Sequence, residues 1–228
     1  KAGKMVGVSN PRKRDRRLTF WNIWLGWIAA NAAFWAIGFG LAQVYARALY
    51  GNDRFIRQVL EGANYIWTRP LGSLVATTNY GLMLGAAIGL GQWLVLRRRL
   101  AIEWLWWLAA TMLGFALHGM SLGLSAGLAS GDQVTAAGLG LLCGGVILAG
   151  IPQWLVLRQH LPRAGWWIVA SAVGLLLAIP GRSGGTNSLM AWLFVSLGAG
   201  AAFGIVTAFF LFFMMPAKAP GEENVEET

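Results

Sequence analysis

The hexapeptide Gln92-Trp93-Leu94-Val95-Leu96-Arg97 occurs a second time, letter for letter, as Gln153-Trp154-Leu155-Val156-Leu157-Arg158. Each copy closes a glycine-rich apolar run and is followed by a basic turn and a Trp pair, Trp106-Trp107 or Trp166-Trp167. Nine residues separate Arg97 from Trp106 and eight separate Arg158 from Trp166, so the copies align with one gap in the turn. The unit this spells is a helix, a tight basic turn and a second helix.

The apolar runs decide the class. Of 228 residues, 57% are hydrophobic and 12% charged, and the 13 Trp and 31 Gly fit a multi-pass integral membrane protein, because Trp favours the bilayer interface and Gly lets helices approach closely. Residues 1–19 read as a basic cytoplasmic tail, and 20–215 as a transmembrane domain with spans at 20–46, 71–96, 104–128, 134–157, 164–179 and 188–215. Most reach the roughly 20 residues that cross about 30 Å of hydrocarbon; the fifth is short, stopped by Pro180-Gly181. In the polar connection 47–70, Asn52 or Asp53 caps a surface helix near 52–62 whose Phe55, Ile56, Val59 and Leu60 share a face. Residues 216–228, with four Glu, read as an acidic disordered tail. The single cysteine, Cys143, excludes an intramolecular disulfide.

Counted on the two sides of the six spans, 13 basic residues fall with the termini and five opposite, which places both termini in the cytoplasm. The net charge of +9 lies beside apolar spans, so the expected partner is a membrane with anionic headgroups and not a nucleic acid.

A third copy of the unit is weaker but visible. Gly200-Ala201-Ala202-Phe203-Gly204 matches Gly85-Ala86-Ala87-Ile88-Gly89 and puts Thr207 where Gln92 stands. Trp27-Ile28-Ala29-Ala30 matches Trp107-Leu108-Ala109-Ala110 and Trp167-Ile168-Val169-Ala170. The expected fold is therefore an all-α integral membrane bundle of six transmembrane helices, built as three parallel two-helix repeats about a pseudo-threefold axis.

Within each hexapeptide the Trp and Arg are four apart, so Trp93 with Arg97, and Trp154 with Arg158, stack at the interface as lipid anchors. Gln92 and Gln153 lie about 7.5 Å deeper at the helical rise. With Thr207 they read as interhelical polar contacts, and replacing either glutamine by Leu is expected to cost about 0.6–2 kcal/mol. The alternative is a polar path for a small neutral solute, lined by the same three residues. Gly81, Gly85 and Gly89, like Gly119, Gly123 and Gly127, recur every four residues and make flat packing faces. His118, with Gly114 one turn before it, is the candidate ligand for a chlorophyll-type pigment or haem; the plain reading is a hydrogen-bonded structural His with no cofactor.

Enzyme readings find little support. Gly181-Arg182-Ser183-Gly184 has the Gly-x-Ser-Gly form of rhomboid intramembrane proteases, but the Ser falls in a loop and the last span offers no His as base. All nine acidic residues fall outside the expected spans, which removes the usual machinery of proton-coupled transport.

The doubled Gln-Trp-Leu-Val-Leu-Arg with its Trp pairs, together with the Gly-x-x-x-Gly-x-x-Thr of the last span, resembles a group of uncharacterised multi-pass membrane proteins of cyanobacteria and green filamentous bacteria. The likeness covers 71–215. It implies a bacterial inner (plasma) membrane and transfers no functional residues. The expectation is a non-catalytic accessory or scaffold subunit held among other membrane protein subunits, with a solute channel and a pigment-binding subunit as alternatives.

Overall fold

The structure is a computed structural model that describes residues 11–50, 70–127, 136–178 and 189–215. The expected surface helix near 52–62, the acidic tail and Ser183 lie outside these residues. The described residues form six helices and no strand: α1 (Pro11–Tyr50), α2 (Pro70–Leu96), α3 (Trp104–Gly127), α4 (Ala136–Leu157), α5 (Trp166–Ala178) and α6 (Leu189–Met214). Pro11 and Pro70 occupy first helical positions, where a missing N–H costs nothing and the fixed φ already suits a helix. Helix α1 starts well before the expected residue 20, because the Lys and Arg residues after Pro11 are good helix formers.

Five helices are long and apolar enough to cross a membrane: Trp21–Tyr45, Leu74–Leu96, Trp104–Ser125, Ala137–Leu157 and Leu193–Met214. The 13 residues of α5 rise only about 20 Å, short of a hydrocarbon core of about 30 Å. Among the described residues the multi-pass, all-helical architecture thus stands, with five helices of spanning length and α5 at the place of the expected short fifth span.

Contacts between named residues give the arrangement. Helices α1 and α2 meet at Tyr45 with Asn79 and at Asn31 with Gln92; α2 and α3 meet at Gly81 with Phe115 and at Gly89 with Thr111. Gly114 and Gly145 join α3 to α4 through Ala149 and Ser121, and Gly150 joins α4 to α5 through Ile168 and Ser171. Gly174 meets Phe203 between α5 and α6, and Gly200 and Gly204 meet Asn31 and Ile28 between α6 and α1. With Gln153 meeting Trp167 between α4 and α5, and Trp166 meeting Phe210 between α5 and α6, residue numbers in each pair rise on one helix as they fall on the other, so neighbours are antiparallel. The last helix packs on the first, and the helices form a closed ring.

The surface, though not the interior, differs from that of a water-soluble domain. Phe194, Phe209 and Trp106 point outward at 72%, 66% and 66% exposure, as lipid-facing side chains do, while the closest helix approaches are made at Gly. At Gly200 a side chain is sterically excluded: a Cβ there would lie 2.6 Å from the Asn31 carbonyl oxygen and 2.6 Å from Trp35 Cβ.

Candidate functional site

Trp27, Trp107 and Trp167, one on each of α1, α3 and α5, are fully buried near one end of the ring. The Trp167 ring meets Trp27 and Trp107 edge-on at 6.0 and 5.9 Å between centroids. Toward the other end, Trp35, Phe115 and Phe203 form a second aromatic triangle with centroids 5.3–6.5 Å apart. Between the two apolar clusters lies a layer of buried polar side chains: Asn31, Gln92, Thr111, Gln153, Ser171 and Thr207.

The indole N–H groups fix how this layer is wired. An indole only donates, so Gln153 turns its Oε1 to Trp167 Nε1 at 3.0 Å. Its Nε2 then donates to Thr111 Oγ1 at 2.8 Å and to Gln92 Oε1 at 3.0 Å. With its oxygen so used, Gln92 donates from Nε2 to Asn31 Oδ1 at 2.9 Å, and Asn31 Nδ2 donates to the Trp27 carbonyl at 2.9 Å. The Trp27 indole donates to Thr207 Oγ1 at 2.9 Å, and that hydroxyl donates to the Phe203 carbonyl at 2.7 Å. Thr111 likewise donates to the Trp107 carbonyl at 2.8 Å. The chain of bonds runs through α5, α4, α2, α1 and α6, with a branch to α3. Trp107 Nε1 and Ser171 Oγ are buried without a protein partner.

The sequence singled out Gln92, Gln153 and Thr207, and the structure brings all three into this layer. It did not single out Asn31, Thr111 or Ser171. Their signal was present: each stands four residues after a buried Trp, one turn along the same helix face. The layer holds amides, hydroxyls and indoles but no acid, base or thiol, so it can hold helices in register yet offers no group that moves a proton at neutral pH. The aromatic clusters flank it on both sides, and a cavity of about 10 Å³ beside Trp24 and Trp27, between α1 and α6, has room for about one water.

The interfacial residues fall at the turns. The Arg97 guanidinium lies 4.9 Å from the Trp93 ring centroid and that of Arg158 5.5 Å from Trp154. Trp93 also donates its indole N–H to the Ile102 carbonyl at 3.2 Å, so it ties down the turn. The two turns share one bonding pattern: Arg97, Arg98, Arg99 and Leu100 donate to Trp93, Val95, Leu96 and Leu96, and Arg158, Gln159, His160 and Leu161 repeat this 61 residues on.

His118 lies apart from the layer. The room that a macrocycle would need above Gly114 is filled by the Ala149 backbone of α4, and the His118 ring lies against Gly145 of the same helix. Close packing of α4 on Gly114 is not revealed by the small-residue spacing alone, and the His118 Nδ1 is buried without a hydrogen-bond partner among the described residues. Among the described residues, no group of three His, Cys, Asp or Glu side chains converges to hold a metal. No protein-family model, curated protein or solved structure matches this chain.

Proposed function

We propose that this chain is a non-catalytic accessory or scaffold subunit of a larger complex in a bacterial inner membrane, with both termini cytoplasmic. The observation that carries the reading is the mutual satisfaction of Gln92, Gln153, Asn31, Thr111 and Thr207 within a buried layer. The polar groups a solute path would need are spent on joining helices. Three two-helix units about a pseudo-threefold axis account for the pattern: Gly89, Gly150 and Gly204 face Thr111, Ser171 and Asn31, each four residues after a buried Trp. The apolar exterior suits contact with lipid and with neighbouring subunits.

Purification of the tagged chain in mild detergent tests the function directly. A second membrane polypeptide at fixed ratio is expected, cross-linked through a photoactivatable reagent on Cys143, the sole cysteine, which is exposed on α4. A 24.6 kDa chain recovered alone, with only lipid adducts at Cys143, sinks the scaffold reading. Solute flux in proteoliposomes that Gln153→Leu abolishes without loss of folding establishes a channel in its place.

Orientation has its own measurement. In a background with Cys143→Ser, a cysteine at position 98 is expected to be labelled only after the membrane is permeabilised, and one at position 183 in intact cells. Labelling of both from the same side rejects the topology.

A further inference from the structure

We propose that the groove at the start of α5, lined by Arg163, Gly165, Trp166 and Val169, is a seat for a single anionic phospholipid, with its phosphodiester on the Arg163 guanidinium. The groove is shallow and open to the outside, with about 420 Å³ of space over these four residues. Its cation is held in place, because the Arg163 guanidinium lies 5.4 Å from the Phe213 ring centroid on α6. Its wall is held too: Trp166 stacks on Phe210 at 5.9 Å and meets Phe213 edge-on at 6.1 Å. Arg163, Phe213, Trp166 and Phe210 therefore form one contiguous cluster that holds a positive charge beside an exposed aromatic face.

The shape comes from Gly165, above which a Cβ would meet nothing within 4 Å. Counting back from the Trp pair in the other turn, Leu105 stands where Gly165 stands and Glu103 where Arg163 stands. The aligned positions thus carry a large side chain and a negative charge in one copy, where the helix has already begun, and an open space and a positive charge in the other, where the turn continues. Only the second favours an anion. A lipid fits better than free phosphate because the groove leads apolar side chains away from the charge: Val169, Val173, Leu176 and Leu177 continue along one exposed face of α5. Since α5 is short, headgroup and chain both lie within reach of these residues.

Native mass spectrometry of the full chain in mild detergent, titrated with phosphatidylglycerol or phosphatidylcholine of identical acyl chains, reads the seat. One phosphatidylglycerol is expected to be retained about fivefold more tightly than phosphatidylcholine, the scale of one interfacial basic residue. R163Q should erase that preference. G165L, which keeps every charge but fills the groove, should lose the tightly held lipid, and R99Q should leave it unchanged. Excess inorganic phosphate should not displace it. The proposal is overturned if G165L retains the lipid as the unaltered chain does, if R99Q weakens binding as much as R163Q, or if phosphate competes it away. The two variants test charge and shape separately, so either suffices if the other does not fold.

Discussion

Gln153→Leu is expected to destabilise the bundle by about 2–4 kcal/mol, more than the 0.6–2 kcal/mol typical of one interhelical contact. The side chain makes hydrogen bonds to residues on three other helices, at 2.8, 3.0 and 3.0 Å. Its loss strands the Trp167 indole N–H, which can only donate, in a fully buried position. Gln92→Leu removes two bonds and should cost less. The double substitution should fall short of the sum of the two, because the bond between the glutamines is then lost once instead of counted twice. Denaturation in detergent measures all three. Unfolding of the Gln153→Leu chain within about 0.5 kcal/mol of the parent shows that the layer does not hold the helices.

Gly200→Ala is the second large effect, and Gly140→Ala is its control. At position 200 the new methyl carbon meets the Asn31 carbonyl oxygen at 2.6 Å and the Ala32 Cα at 2.8 Å, both backbone atoms that move only if α1 moves. A cost of about 1–3 kcal/mol is expected from overpacking. At position 140 nothing lies within 4 Å, so the change should be neutral or gain about 0.5–1 kcal/mol in helix propensity. Equal melting temperatures for the two variants contradict the α1–α6 contact.

These cases show what was legible in the sequence. The repeated hexapeptide exposed Gln92 and Gln153, since an amide recurring at one register of an apolar helix must meet a partner there. Asn31, Thr111 and Ser171 escaped because the position demands only a short polar side chain, which three different residues supply, and identity matching is blind to chemical equivalence. Glycine spacing showed that flat faces exist but not which way they turn: Gly85 and Gly89 pack against α3, whereas Gly140 and Gly144, at the same interval, face open space. Direction depends on where neighbouring helices go, and that is a tertiary property. The same limit explains His118, whose apparent clearance is occupied by a helix 31 residues further along, at Ala149.

The contact of α6 with α1 sets a schedule for making the protein. Trp27 and its acceptor Thr207 are 180 residues apart, which at roughly 5–20 residues per second is roughly 10–40 s of translation. Asn31 finds Gln92 early, as soon as the second helix is inserted. Until α6 is made, the Trp27 indole lacks its Thr207 acceptor, so the ring can shut only once α6 is inserted.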